Sequence, residues 1–405
     1  MNINIIPGGV CAAQGFTANG VLCKIKPSRE TPDLALVLSE VPASAAAVYT
    51  QNLVQGAPIT VTKAHLQNGQ AQAIIVNSGN ANTCNADGPA IAKAMCQLVQ
   101  EHTGIAAGDV IVASTGVIGQ PLPIAPIQNG MAALTAGLSR KSDTAALAIM
   151  TTDTFQKEAA VEFELGGKLC RLGGMAKGSG MIHINMATML AFITTDAAVA
   201  PAVLSQLLKE CCDNTLNMVS VDGDTSTNDM CCILANGMAG NAEITAPSKD
   251  LDTLRAALMQ VLTELARMLA RDGEGATKLL ECRVNGAKTT KDARLAAKSV
   301  ISSSLVKSAM FGADANWGRE LCALGYSGAD IDVTGVSVSF RSSAGEIAVC
   351  EHGAGIAFCE DLAAKILAES EIVIDIGLTD GTASATAWGC DLTYDYVKIN
   401  GDYRT

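Results

Sequence analysis

Residues 166–196 read GGKLCRLGGMAKGSGMIHINMATMLAFITTD. Six glycines (Gly166, Gly167, Gly173, Gly174, Gly178 and Gly180) crowd the first part of this stretch, and a strand-like run, Met189–Thr194, follows them. Glycine at that density lets a backbone take positive φ and approach a ligand or another segment closely. Two readings stand: a pair of β-hairpin turns, or a loop that meets a small molecule. A Walker phosphate loop is excluded, because that pattern needs Gly-Lys-Ser/Thr and here Gly178 follows Lys177.

Outward from this stretch, short β-like runs occur at Ala73–Val76, Val110–Ala113, Ile372–Ile376 and Tyr394–Ile399, each β-branched or bounded by Gly, Asn or Asp. Helical stripes alternate with them. One runs through Leu204, Leu207, Leu208 and Cys211, with Pro201 near its first turn. A longer one runs from Leu251 through Leu254, Leu258, Leu262 and Leu265 to Leu269, with Asp250 as its expected cap and Gly273 as its expected end. A third is expected over Lys291–Met310 and a fourth over Asp361–Glu369. Strands and helices mixed along the whole chain, with Gly-rich turns between them, predict an α/β fold of layered sheets and helices.

The chain has 405 residues, enough for one large interlocked body or several smaller cores. Its 28 Lys and Arg against 40 Asp and Glu give a formal net charge of −12. That balance argues against nucleic acid or an anionic membrane as partner, since both attract cations. Hydrophobic residues at 49% rule out a disordered chain, and aromatics at 3% leave little for base-stacking or sugar-binding platforms. The start, MNINIIPGGV, shows neither a basic region nor a long apolar one, so no secretory signal is read and the cytosol is expected. Fourteen cysteines include two adjacent pairs, Cys211–Cys212 and Cys231–Cys232, but no C-x-x-C, and are read as reduced thiols.

Chemistry-bearing residues are few in type. Only His65, His102, His183 and His352 are histidines, with no H-E-x-x-H and no G-x-S-x-G, so neither a zinc site nor a serine triad is favoured. His183 reads as a structural hydrogen-bonding group. Hydroxyls are abundant: Thr115, Thr151, Thr152, Thr188, Thr194, Thr195 and Thr225 sit in or beside small-residue loops. A threonine becomes a nucleophile when a base stands next to it. Its own α-amine can serve once the preceding peptide bond is cut, because that amine titrates at about 7.7–8.0.

The run Lys177-Gly-Ser-Gly-Met-Ile-His-Ile-Asn-Met-Ala-Thr-Met-Leu190 resembles the processing motif of the ornithine acetyltransferase family, the bifunctional arginine biosynthesis proteins. The resemblance extends over almost the whole chain. It takes in Asn77-Ser-Gly-Asn-Ala-Asn82, Ser114-Thr-Gly-Val-Ile-Gly119, Met150-Thr-Thr-Asp-Thr154 and Val221-Asp-Gly-Asp-Thr-Ser-Thr-Asn-Asp229. Further matches are Asp272-Gly-Glu-Gly-Ala-Thr-Lys278, Asn316-Trp-Gly-Arg319 and Lys398-Ile-Asn-Gly-Asp-Tyr-Arg-Thr405.

The resemblance implies a layered α/β sandwich of that family's own type, distinct from the N-terminal nucleophile hydrolases. It implies self-cleavage between Ala187 and Thr188 into chains 1–187 and 188–405, which form one interlocked body and pair as an α2β2 heterotetramer. Thr188 is then the acetyl-carrying nucleophile, and Thr115 and Gly116 form the oxyanion hole. Thr152, Lys177, Thr188, Glu274, Asn400 and Thr405 match substrate-binding positions. Lys177 suits a substrate carboxylate and Glu274 a substrate ammonium. Read without the resemblance, Thr115–Gly116 is a turn after a strand, Lys177 and Glu274 are solvated charges, and Asn400 and Thr405 are a fraying tail.

The implied reaction moves acetyl from N-acetylornithine to glutamate by a ping-pong route, with no metal and no bound cofactor. Acetyl-CoA is a possible co-substrate. Two departures stand out. Ile184 replaces the family's frequent Pro, removing a fixed φ before the cleavage site, and Ala315 replaces another Pro before Asn316-Trp-Gly-Arg319. The alternatives are a self-processing amidase or aminopeptidase that uses water as acceptor, and a non-catalytic amino-acid-binding protein.

Overall fold

The structure is a computed structural model and describes residues 2–183 and 189–402. Ala187, Thr188 and Ile184 therefore lie outside the described residues, as does Thr405. Among the described residues the strands form two sheets. The first runs in the order Ile3–Ile6, Lys157–Leu165, Lys168–Lys177, Leu190–Thr195, Met230–Ala235, Leu34–Tyr49, Gln70–Asn77, Val110–Ser114, with Phe16–Val21 also paired to Leu34–Tyr49. The second runs Ala354–Gly355, Gly345–Glu351, Ser337–Ser342, Glu371–Gly377, Leu279–Ala287, Ala383–Cys390, Val219–Thr225, Ile182–His183. Helix Lys249–Arg271 packs against strands of both sheets and joins them in one core. The expected layered α/β class is what the chain adopts.

Most expected elements are present. The strand runs extend to Gln70–Asn77, Val110–Ser114, Leu190–Thr195 and Glu371–Gly377. Gly166 and Gly167 form the hairpin turn between Lys157–Leu165 and Lys168–Lys177, so one of the two expected turns is real. Gly173 and Gly174 instead lie inside the second of those strands. The leucine stripe of Lys249–Arg271 is buried from Leu251 to Leu269.

Three details differ. The long helix is capped by Ser248, whose side chain accepts from the Leu251 N–H at 3.2 Å, and Asp250 sits in the first turn where its charge meets the helix dipole. The helix expected over 291–310 is two helices, Thr290–Ser302 and Ser304–Phe311. Ser303 turns extended between them and caps the second, accepting from the Val306 N–H at 3.3 Å. The run at 394–399 is not a strand but the start of helix Tyr394–Asp402. Tyr396 and Ile399 are its half-buried positions, a three-residue spacing that fits a helix lying on the surface.

Both sheets converge where the glycine-rich segment crosses between them. The chain leaves the first sheet at Lys177 and re-enters it at Leu190, and these two residues are partners in the antiparallel ladder. Between them Ile182–His183 adds an edge to the second sheet against Val219–Thr225. Among the described residues no helix is long and apolar enough to cross a membrane. The cysteines are free thiols, most of them buried, and burial pushes the Cys96 thiol up to about 12.

Helix Trp317–Gly325 carries one costly residue. Glu320 is fully buried, and neither carboxyl oxygen reaches a hydrogen-bond partner on another residue. Burial pushes its pKa up from 4.5 to about 8. The folded protein therefore keeps this proton while the unfolded chain releases it near 4.5, so stability falls as pH rises from about 4.5 to about 8. Glu320→Gln should remove that slope and raise stability at pH 8 and above by roughly 1–3 kcal/mol. Urea unfolding at pH 5 and pH 8.5 measures both effects, and equal slopes in the two proteins would refute the assignment.

Candidate active site

A cleft of about 180 Å³ opens at the crossing point. Thr115, Gly116, Thr152, Lys177, Glu274 and Asn400 all line it, together with Met189 and Leu190 from the returning strand. Six of the eight residues singled out in the sequence thus meet in one place from five separate segments. The other two, Thr188 and Thr405, lie outside the described residues.

The Thr115–Gly116 turn follows strand Val110–Ser114 and is braced from below. The Ser114 hydroxyl donates to Asn77 Oδ1 at 2.6 Å, and Asn77 Nδ2 donates to the Asn80 carbonyl at 2.9 Å. Buried Asn228 joins the two loops, with Nδ2 donating to the Ala81 carbonyl at 2.5 Å and the Ser114 carbonyl at 3.0 Å. Its Oδ1 accepts from the Thr83 and Thr227 hydroxyls, each at 2.6 Å. Gly116 sits at φ +131°, and a Cβ there would stand 2.4 Å from the Gly79 carbonyl carbon. Only glycine fits. Its N–H has no hydrogen-bond partner among the described residues, so it remains available to an oxygen in the cleft.

Lys177 ends strand Lys168–Lys177 and is buried, not a solvated charge. Nζ donates to Thr115 Oγ1 at 3.3 Å. A hydroxyl that accepts from an ammonium keeps its own proton free to donate elsewhere. Burial pushes the Lys177 pKa below its ordinary value; Asp153, Asp229 and Glu274 oppose that shift, and Lys157 adds to it.

Glu274 is half-buried on the opposite wall, where Asn400 Nδ2 donates to its Oε2 at 2.8 Å. Asn400 is thus a structural partner on helix Tyr394–Asp402 rather than a frayed tail. Gly180 lets Glu274 approach, since a Cβ there would fall 2.4 Å from its carboxyl carbon. His183 stands at the second sheet's edge with Nδ1 3.1 Å from Ser220 Oγ. Burial, then the charge of Lys298, pushes its pKa down to about 4, so it is neutral at neutral pH.

The ArgJ family model matches residues 17–405. The chain belongs to the ArgJ family. It is 52% identical over 403 residues to the arginine biosynthesis bifunctional protein ArgJ of Symbiobacterium thermophilum, covering 99% of each chain. It is 50% identical to that of Caldanaerobacter subterraneus subsp. tengcongensis over the full length of both. Among solved structures, the arginine biosynthesis bifunctional protein argJ of Bacillus halodurans superposes with a TM-score of 0.51 at 42% identity, covering 53% of this chain and 100% of that one. Membership makes this protein an acetyl-transferring enzyme of arginine biosynthesis.

In and behind this ArgJ-family cleft stand residues to which sequence reasoning gives no role: Asp153, Asp222, Asn228 and Asp272 fall inside the motifs quoted above, and Lys157 lies outside them. Asp222 fixes the crossing segment by accepting from the Met181 N–H at 2.6 Å and the Ile182 N–H at 2.8 Å. Each of these contacts spans a long stretch of chain, and no local spacing announces it.

Gly116→Ala should displace the turn from Gly79 and Asn80 and remove the N–H from its place. We expect acetyl-transfer kcat to fall at least 100-fold, the order of a lost oxyanion donor, with the thermal midpoint lowered as well. A folded Gly116→Ala variant with native kcat would show that this N–H is not used.

Proposed function

We propose that the cleft transfers an acetyl group from N-acetylornithine to glutamate through an ester on Thr188. The observation that carries this reading is one of position. The free Gly116 N–H, the Thr115 hydroxyl, Lys177 and Glu274 share a cleft with Met189, the residue joined to Thr188 by one peptide bond.

Self-cleavage between Ala187 and Thr188 comes first, and gives chains of residues 1–187 and 188–405. The crossing between the sheets supports it, because both ends of that excursion are held in sheets and survive a cut between them. The Bacillus halodurans chain also supports it: its whole length corresponds to 53% of this chain, close to the 218 residues of 188–405. The two products then remain one interlocked body and assemble as α2β2 in the cytoplasm.

The freed Thr188 α-amine takes the proton of its own hydroxyl as Oγ attacks the acetyl carbonyl. The tetrahedral oxyanion accepts hydrogen bonds from the Thr115 hydroxyl and the Gly116 N–H. Lys177 meets the substrate α-carboxylate and Glu274 the side-chain ammonium of ornithine, with Thr152 and Thr405 completing the contacts. Collapse of the intermediate releases ornithine, whose amine regains the proton, and leaves acetyl-Thr188. The glutamate amine then attacks the ester and departs as N-acetylglutamate. Acetyl-CoA is proposed as a second donor to the same threonine, as co-substrate rather than bound cofactor.

Three experiments test the scheme. Denaturing electrophoresis should show two bands for the native protein and one uncut, inactive chain for Thr188→Ala; efficient cutting of that variant would overturn the nucleophile. Thr115→Ala, once confirmed to be cleaved, should lose kcat by roughly 100- to 1000-fold with little change in substrate binding. Product analysis with N-acetylornithine, with and without glutamate, separates transfer from hydrolysis, and acetate as the sole product would favour an amidase instead.

A further inference from the structure

Behind the cleft wall, fully buried Lys157 lies between two carboxylates. Nζ is 2.7 Å from Asp153 Oδ1 and 2.5 Å from Asp272 Oδ2. Both acids also hold backbone. Asp153 accepts from the Thr151 N–H at 2.9 Å and from the Gly178 N–H at 2.6 Å. Asp272 accepts from the Thr154 N–H at 3.0 Å and from the Thr154 hydroxyl, and its carbonyl accepts from the Ser179 hydroxyl at 2.6 Å. The trio thus grips the two residues that follow Lys177. Stability is a weak reason for such a group, because a buried ion pair commonly does no better than apolar side chains of the same volume.

Its charge suggests a use. Within the trio, Asp153 and Lys157 act on Lys177 with opposite sign, Asp153 the more strongly. Lys177 is buried, and Thr115 Oγ1 is its one hydrogen-bond partner among the described residues. We infer that Asp153, Lys157 and Asp272 are positioning residues: Asp153 sets a carboxylate against the buried Lys177 ammonium, Lys157 and Asp272 hold that carboxylate in place, and the hold of the two acids on Gly178 and Ser179 aims Lys177 at Thr115. The use of that proton in catalysis rests on the proposed meeting of Lys177 with a substrate carboxylate.

The charges around Lys177 agree. Burial depresses its pKa, Asp153 is the largest charge working against that, Lys157 opposes Asp153, and Asp229 and Glu274 assist it. Reciprocally, burial works against the Asp153 carboxylate, but Lys177 and then Lys157 outweigh it and hold its pKa near 2. Neutralising Asp153 would leave the opposing charge of Lys157 beside Lys177, so Lys177 would lose its proton at lower pH. Neutralising Asp153 and Lys157 together would remove one charge of each sign and return Lys177 toward its native state. A purely structural trio predicts the reverse ranking, with the double variant worse than the single.

The test reads the Lys177 amine directly. Full-length protein without substrate is labelled across pH with a trace amine-acylating reagent, and modification of Lys177 is followed by mass spectrometry. Asp153→Asn should lower the midpoint by about one pH unit. Asp153→Asn/Lys157→Met should recover part of that loss. If Asp153→Asn does not fold, Lys157→Met removes the opposing charge and should raise the midpoint instead. An unchanged midpoint in the single variant, or a double variant as low as the single, would overturn the inference. The glutamate KM of the Asp153→Asn enzyme, measured above the lowered midpoint, should rise about tenfold while kcat at low pH is kept. A shifted midpoint with an unmoved KM would uphold the charge relay and discard the substrate role of Lys177 instead.

Discussion

The ladder pairing of Lys177 with Leu190 is the constraint on which the rest of the site depends. It makes the chain leave the first sheet after Lys177 and come back to the same point at Leu190. Midway, Ile182–His183 pairs with Val219–Thr225 in the second sheet, so the excursion is pinned at both ends and in the middle. Met230 pairs with Leu190 on the other side, and this brings Asn228 and Asp229 to the same rim. A cleft at the ends of these strands follows from the register alone. Sliding any of the three strands by one residue would turn every side chain to the opposite face.

The electrostatics of the cleft are set from behind it as well as from its walls. A lysine buried as Lys177 is would ordinarily shed its proton, because burial disfavours the charged form. Three carboxylates stand against that tendency, one of them shared with a second lysine. Asp153 and Asp272 stand behind the glycine-rich segment; their contacts fix its shape, and the charge of Asp153 acts on its lysine. Geometry and charge at Lys177 are therefore held by the same few atoms. Glu274 is handled differently: it is half-buried, accepts from Asn400, and owes its closeness to the missing side chain of Gly180.

Periodicity read well wherever the local pattern and the packing agreed. The leucine spacing from Leu251 to Leu269 gave a helix because one continuous stripe faces a core that joins both sheets. It read poorly where a single polar contact decided. Ser303 splits an apolar stripe by capping a new helix, and nothing in the stripe marks that serine above its neighbours Ser302 and Ser304. At Tyr394–Asp402, alternating apolar residues suggested a strand, but only Tyr396 and Ile399 face inward. A strand there would also have needed a free sheet edge to pair with.

By itself the sequence determined the class of fold and the family, and it marked out the glycine-rich segment. These depend on apolar period, glycine placement and ordered motifs, all carried by neighbours along the chain. It also named Thr115, Gly116, Thr152, Lys177, Glu274 and Asn400, which the fold brings to one cleft. The tertiary structure alone decided that Lys177 is buried rather than solvated, and that Asp153, Lys157 and Asp272 lie behind it. The physical reason is that burial and charge coupling act through distance in space. Lys157 and Asp272 are 115 residues apart in sequence and 2.5 Å apart in the fold, and no pattern read along the chain carries that distance.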